Sequence, residues 1–215
     1  MSHLNITPVG DTLATISLGD GISEELSGMV VDRSSIISNA GIIGVTDVVP
    51  AYATVGVHYD PLVIAFDDLR DRLSALMDGV PAEQRPASEP RLHTVTVNYD
   101  GEDLDDVAAR SGLSRNAVIE LHSSAEYRVF VIGFVPGFAY LGQLDEQISI
   151  PRRPSPRPRV PAGSVAIADR QTAIYPSATP GGWHIIGRAN VTLFNPALDE
   201  PSLFRVGDRV RFAPE

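Results

Sequence analysis

The sequence predicts a small α+β domain followed by a mainly-β domain. Residues 23–40 and 62–77 carry helical stripes, and the segments 4–18 and 45–59 carry strand character, which gives the order β-α-β-β-α. Beyond residue 92 the chain consists largely of short apolar segments broken by glycine and proline. That pattern is typical of a β-barrel or a β-sandwich.

Composition sets the domain boundaries. Residues 1–80 form the predicted α+β domain, residues 81–91 form a linker with three prolines and no apolar pattern, and residues 92–215 form the second domain. A length of 215 residues accommodates two domains of this size. In the first domain, Ser23 is the predicted N-cap of a helix, and Gly41 stands just past its end.

The second domain begins with a strand at 92–99 and two helices at 103–110 and 114–123. The helices resemble a helix-turn-helix, with a turn at Gly112 and a capping serine at Ser114. However, residues 103–123 carry a net charge of −2 and the whole chain carries −10, whereas DNA binding needs positive charge. We therefore expect a structural helical hairpin and no nucleic-acid partner.

Several classes of chemistry are excluded by the residues that are missing. The chain has no cysteine and no lysine, so thiolate chemistry, Schiff bases and a P-loop lysine are ruled out. The five histidines show no HxH or HExxH spacing, so no metal site is predicted. No apolar run approaches the length of a membrane helix and no signal peptide is visible, so we expect a cytoplasmic protein with no membrane partner.

Positive charge is concentrated in one stretch, residues 133–188, which has a net charge of +3. A positive region on an acidic protein indicates an anionic ligand or an acidic patch on a partner. Five prolines between 151 and 161 make part of this stretch stiff and extended. Its arginines, suited to bidentate binding of carboxylate or phosphate, have no acid nearby in sequence: Arg152, Arg153, Arg157 and Arg159. The alternative is a solvated basic loop or a strip that docks another chain.

Aromatic residues surround the glycines at the start of this stretch. A strand that is apolar on both faces, and hence buried, breaks at Gly133 and again at Pro136–Gly137. Phe134, Phe138 and Tyr140 flank these breaks, and we predict that they form the wall of a pocket. The alternative is a tight turn with aromatic side chains in the core.

Two candidate catalytic residues lie near the end of the stretch. Alternation places Tyr175 on one strand face with Gln171 and Ala173. Next to a Gly-Gly turn, it places His184 on one face with Arg188, a pair suited to handling a proton and an anion. We therefore predict His184 and Tyr175 as catalytic. The predicted substrate- or anion-binding residues are Phe134, Pro136, Gly137, Phe138, Tyr140, Arg152, Arg153, Arg157, Gln171, Gly182, Trp183 and Arg188.

Four motifs in this order resemble a known family: GFVPGFAYLG, PRRPSPRPRVPAGSVAIA, QTAIYP and PGGWHIIGR. They are similar to the B-subunit of 5-oxoprolinase, a family also described as KipI-type kinase inhibitor, allophanate hydrolase subunit 1 and carboxyltransferase subdomain C/D. The resemblance covers nearly the whole chain and implies a cyclophilin-like β-barrel as the second domain. In this chain Asp169–Arg170 stands where the family pattern has glycines.

The resemblance implies one component of a larger enzyme. With a KipA-like partner (the C-subunit of 5-oxoprolinase, or allophanate hydrolase subunit 2) and a LamB/YcsF-like subunit, such chains form an ATP-dependent 5-oxoprolinase. That enzyme opens a small cyclic amide, 5-oxoproline, to glutamate. The resemblance also implies two alternatives. One is a carboxyltransferase or allophanate-hydrolase subunit, for which biotin would be the cofactor. The other is an inhibitor of a sensor histidine kinase.

Overall fold

The computed structural model describes residues 5–78 and 89–215 and divides the chain into two compact units, Met1–Glu89 and Pro90–Glu215. Most of the predicted linker, 81–91, lies outside the described residues. The α+β unit followed by a closed β-barrel confirms the predicted fold class. No helix in the described part of the chain has the length and apolar character needed to cross a membrane.

The first unit is an antiparallel sheet with two helices. Its elements are β1 (Asn5–Pro8), β2 (Leu13–Ser17), α1 (Glu24–Asn39), β3 (Val45–Ala51), β4 (Thr54–Tyr59) and α2 (Phe66–Asp78), with strand order β1-β2-β4-β3. Ser23 caps α1 as predicted, because its hydroxyl accepts a hydrogen bond from the Leu26 N–H at 3.1 Å. Alternate residues of β2 and β4 face the core, where Ile16 and Val57 pack with Leu69 of α2.

The second unit is a closed barrel of seven strands in the order β10-β7-β6-β13-β5-β12-β9. Its elements are β5 (Leu92–Asn98), α3 (Leu104–Ser111), α4 (Arg115–Ser123), β6 (Glu126–Ile132), β7 (Ala139–Gly142), β8 (Arg157–Val160), β9 (Ser164–Ala168), β10 (Gln171–Ile174), β11 (Thr179–Gly181), β12 (His184–Ala189) and β13 (Arg209–Pro214). Strands β8 and β11 pair with each other as a separate two-stranded ribbon.

The helical hairpin α3–α4 belongs to the barrel core. Gly112 ends α3 in the left-handed conformation, and the Ser114 hydroxyl caps α4 by accepting from the Ala117 N–H at 3.2 Å. Leu104 and Val118 are buried in the same apolar cluster as the interior of the barrel. The apolar faces of both helices are therefore used in packing.

A line of hydrogen-bonded polar side chains crosses this core. His122 Nδ1 is 2.7 Å from the Tyr99 hydroxyl, and its Nε2 is 2.9 Å from the Thr172 hydroxyl. The His122 ring also stacks on Phe212, with ring centroids 4.6 Å apart. Because burial disfavours the charged imidazolium, the pKa of His122 is lowered from its ordinary 6.5 to about 3.

Candidate functional site

An aromatic cavity of about 210 Å³ lies on the outer wall of the barrel. It is lined by Phe134, Phe138, Tyr140, Arg152, Tyr175, Pro180, Gly181, Gly182 and Trp183. Apart from Pro180 and Gly181, all of these residues are among those that the sequence predicts for the site. We call this space the aromatic cavity.

Small residues on the barrel wall make room for the aromatic side chains. In β9, Val165 and Ile167 face the barrel interior, whereas Ala166 and Ala168 face outward. Ala173 of β10 faces outward as well. Because these side chains are short, large rings can pack directly on the strands, and they form a second apolar cluster outside the barrel.

Phe138 is the centre of the aromatic cluster. Its ring meets Tyr140, Tyr175 and Trp183 edge to face, at centroid distances of 4.9, 5.3 and 5.8 Å. Phe138 is only 2% exposed, whereas Phe134, whose ring contacts it, is 60% exposed. The cluster therefore has a buried floor and one ring that remains open to solvent.

Phe134 is held in a strained turn. The Val135 N–H donates to the Gly133 carbonyl at 2.9 Å, which closes a three-residue γ-turn around Phe134. The φ angle of Phe134 is +72°, in the left-handed region that a bulky side chain rarely adopts. Such strain costs on the order of 1–3 kcal/mol and concentrates at ligand sites.

Tyr175 places a hydroxyl in the wall of the cavity. Burial raises the pKa of Tyr175, while nearby Arg152 and Arg157 and a hydrogen bond from the Trp183 backbone act in the opposite direction. The net shift is upward, so the phenol stays protonated near neutral pH and can donate a hydrogen bond to a ligand. This protonation state suits a hydrogen-bond donor and not a general base.

Gly181 and Gly182 are neighbours in the cavity wall, but only Gly182 has room for a side chain. Alanine substitutions at the two positions can therefore be compared with each other. A Cβ at Gly181 would lie 2.3 Å from the Tyr175 hydroxyl, whereas at Gly182 the nearest atoms are 3.8 Å away. We expect Gly181→Ala to displace the Tyr175 ring and to lower the free energy of unfolding by about 1–3 kcal/mol. Gly182→Ala should leave the free energy of unfolding close to that of the parent protein. Thermal unfolding of both variants checks this, and equal melting temperatures would contradict the close Tyr175–Gly181 contact.

Arg152 supplies the positive charge of the cavity. Its guanidinium carbon lies 5.8 Å from the centre of the Trp183 ring, a cation–π distance. Its Nε is 3.7 Å from Asp169 Oδ2, and both side chains are more than half exposed. An exposed pair at this separation is worth little, so a carboxylate ligand can compete for Arg152.

The structure gives Arg153 and Arg157 a different role from the predicted one. Asp103 Oδ1 accepts from Arg153 Nη1 at 2.9 Å and from Arg157 Nη2 at 2.7 Å, and Arg157 also pairs with Glu102 at 2.9 Å. No acid lies near these arginines in sequence, but the fold brings Asp103 and Glu102 to them. Their charges are paired with carboxylates of the same chain, and neither residue lines the aromatic cavity.

Asp103, which the sequence interpretation missed, joins three parts of the second unit. Its carboxylate is 6% exposed and binds Arg153 and Arg157 of the proline-rich segment, while Oδ2 accepts from the Ile185 N–H at 2.7 Å. Asp103 itself immediately precedes helix α3. The segment that carries Arg152 is therefore fixed to β12 beside Trp183. In the sequence, Asp103 could be noticed only as an acidic residue at the start of a predicted helix, and that position does not indicate its arginine partners.

His184 does not face the aromatic cavity. It is fully buried, and its Nε2 donates to the Pro151 carbonyl at 3.0 Å. Its Nδ1 makes no hydrogen bond to the described residues and lies 3.8 Å from Asp106 Oδ2. The predicted catalytic pair, His184 and Tyr175, is therefore not brought together, and His184 anchors the loop before the arginines.

Arg188 is separated from His184 by an irregularity in the strand. The pairing of β12 with β9 shifts register between Ile185 and Gly187, so strict alternation fails at this point. Ile186 packs in the barrel core, on the face that alternation gives it, whereas the shift turns Arg188 to the exposed face. Arg188 lines a different cavity, of about 560 Å³.

The remaining predicted residues, Pro136, Gly137 and Gln171, do not line the aromatic cavity. Gly137 has a φ angle of +81°, and a Cβ there would meet Phe194 at 2.7 Å, so it allows a close approach of two chain segments. Pro136 is exposed beside it, and Gln171 is partly buried at the start of β10. Among the described residues no group of three or more His, Asp or Glu side chains could hold a metal ion.

Residues 4–204 of this chain match the family model of the carboxyltransferase domain, subdomain C and D. The chain belongs to this family. The match confirms the resemblance inferred from the four motifs. A family relative, the 5-oxoprolinase B-subunit of Bacillus subtilis, is 37% identical over 219 residues, which cover 96% of this chain and 91% of that protein.

Two solved structures share the fold of this chain. TTHA0988 superposes with a TM-score of 0.84 at 40% identity over 94% of this chain, and the chain spans only 39% of that longer polypeptide. The urea amidolyase of K. lactis matches 99% of the chain with a TM-score of 0.76 at 15% identity, and the chain spans 15% of it. The latter likeness shows a shared fold.

Proposed function

We propose that this chain is one subunit of an ATP-dependent 5-oxoprolinase-type complex, which opens 5-oxoproline to glutamate. We further propose that the aromatic cavity receives the 5-oxoproline ring. The observation that carries this proposal is the combination of an aromatic wall with a single weakly paired guanidinium, that of Arg152. The relatives named as B-subunits of 5-oxoprolinase support the same reaction.

The cavity matches 5-oxoproline group by group. At about 210 Å³ it is smaller than the ~300–1,000 Å³ of sites for drug-sized ligands, which suits a five-membered ring with one carboxylate. The ring packs against Phe138 and Trp183, and the carboxylate pairs with Arg152. The Tyr175 hydroxyl donates to the amide carbonyl, since its raised pKa keeps its proton in place.

A partner chain completes the catalytic site under this proposal. Amide opening needs a base that activates water, and the residues lining the aromatic cavity include no carboxylate and no histidine. His184, the predicted candidate, is buried elsewhere and bonded to a backbone carbonyl. We therefore expect the isolated chain to bind substrate and to lack turnover.

The described residues of this chain do not fit ATP. The aromatic cavity offers one guanidinium, and the larger cavity sets Arg188 among the carboxylates of Asp100 and Glu215. A triphosphate needs several cationic or N–H donors in one place, and the chain has neither a lysine nor a P-loop. ATP is therefore assigned to another member of the complex.

The test of the proposed function is reconstitution. This chain is co-expressed with a KipA-like subunit, proposed as the direct partner, and with a LamB/YcsF-like subunit. Glutamate release from 5-oxoproline is then measured with and without ATP. Stable co-purification and ATP-dependent release are the expected results. Absence of turnover with every subunit present, or turnover that avidin abolishes, would overturn the proposal, and the second outcome would favour biotin-dependent carboxyl transfer.

Arg152 provides the sharpest single-residue test of the cavity. Arg152→Gln is expected to raise the KM of the complex for 5-oxoproline by roughly tenfold or more, because a charge-assisted pair with the carboxylate is worth about 1.5–3 kcal/mol. Arg159→Gln is the matched control, since Arg159 belongs to the same proline-rich segment, is exposed and does not line the cavity. Equal KM values for the two variants would place the substrate elsewhere.

A further inference from the structure

A second cavity, of about 560 Å³, lies outside the aromatic cavity and has a different chemical character. Its volume is in the range of small-molecule sites. Most of its lining residues carry hydrogen-bonding side chains, among them Asn98, Asp100, Arg188, Asn190 and Glu215. We call this space the polar cavity.

The donors of the polar cavity are grouped around Arg188. Arg188 pairs with Asn98 across the ladder of β12 and β5, so their side chains are neighbours on the outer face of the barrel. In the described part of the chain Arg188 forms no ion pair, and Asn190 lines the same cavity with an amide. This grouping offers a guanidinium fork and two amides to a carboxylate.

The acceptors of the polar cavity come from two other side chains. Asp100 and Glu215 are exposed carboxylates in its wall. His93 is held by a buried carboxylate, because its Nε2 donates to Asp208 Oδ2 at 2.9 Å. Alternation along β5 places His93 on the face of the buried Val95, opposite to Asn98, so His93 is not counted among the acceptors. The cavity therefore presents both a carboxylate-binding group and groups that accept from an ammonium.

We propose that the polar cavity is a binding site for a zwitterionic α-amino acid. The carboxylate binds the Arg188 guanidinium, and the ammonium is received by the carboxylates of Asp100 and Glu215. A plain dicarboxylate would meet two like charges, and a plain amine would leave Arg188 without a partner, so the mixed charge pattern selects a zwitterion. The choice of glutamate as the first probe rests on the proposed function, whereas the site itself does not.

Calorimetric titration of the full chain, without partner subunits or ATP, tests this proposal. L-glutamate is compared with glutarate, which lacks the ammonium, and with 5-oxoproline, whose nitrogen carries no charge. We expect L-glutamate to bind at least about tenfold more tightly than glutarate. Arg188→Gln should weaken glutamate binding by a similar factor, and the exposed control Arg159→Gln should leave it unchanged.

Three results would overturn the proposal. These are no heat of binding with L-glutamate or with a panel of other α-amino acids, equal binding of glutarate, or a loss of glutamate binding in Arg152→Gln and not in Arg188→Gln. The last result would place the amino acid in the aromatic cavity. Because the titration needs neither turnover nor partner subunits, its failure is distinct from a failure of the proposed 5-oxoprolinase function.

Discussion

Replacing Asp103 with asparagine is expected to lower the free energy of unfolding by about 3 kcal/mol. The carboxylate neutralises two guanidinium groups, and the substitution leaves Arg157, whose side chain is only 15% exposed, without its nearest counter-charge. Removing one partner of a buried ion pair costs about 3–5 kcal/mol, and we take the lower end because Arg153 is one-third exposed. Urea unfolding followed by circular dichroism gives the value.

A neighbouring acid serves as the control for this experiment. Asp105 also pairs with an arginine, Arg115, at 3.0 Å, but its side chain is 75% exposed. Asp105→Asn is therefore expected to cost less than about 1 kcal/mol. If Asp103→Asn and Asp105→Asn cost the same, the assignment of Asp103 as the residue that fixes the arginine segment is wrong.

Stability is also expected to fall steeply in mild acid because of His122. In the folded protein the pKa of His122 is about 3, and in the unfolded chain it returns to about 6.5. Between these values the unfolded chain takes up a proton that the folded protein excludes. The contribution of His122 to stability is therefore complete above pH 6.5 and declines by about 1.4 kcal/mol per pH unit down to pH 3. Urea unfolding at pH 7, 6, 5 and 4 measures the slope.

His122→Gln separates this contribution from that of the carboxylates. Glutamine does not titrate, so the variant should be less stable at pH 7, where it loses the stacking on Phe212 and the bonds to Tyr99 and Thr172. Its slope between pH 6 and pH 4 should be shallower than that of the parent protein. Parallel slopes would mean that His122 does not control the acid response.

The elements of the fold and much of the aromatic cavity could be predicted because they depend on local patterns. The capping residues Ser23 and Ser114 act within a few residues of themselves, so their roles are visible in the sequence. Alternation placed Ala173 with Tyr175 and placed Trp183 with Ile185, and both pairs belong to the cluster outside the barrel.

The remainder of the site depends on contacts between distant segments. Asp103 meets Arg157 across 54 positions of the chain, and no periodicity links the two. The single register shift in β12 reverses the expected face of Arg188, because a period of two cannot show an irregular residue. The sequence could therefore name the arginines, but it could not tell which of them were already neutralised.

The γ-turn at Phe134 places the phenylalanine ring at the cost of backbone strain. A glycine at this position would adopt the φ angle of +72° without steric strain, which the phenylalanine cannot do. The strained backbone keeps the ring of Phe134 in the cavity wall and exposed to solvent, and the ring does not pack into the core. Because the turn already holds the ring out of the core, a ligand that packs on Phe134 does not have to move it there first, which lowers the ordering cost of binding.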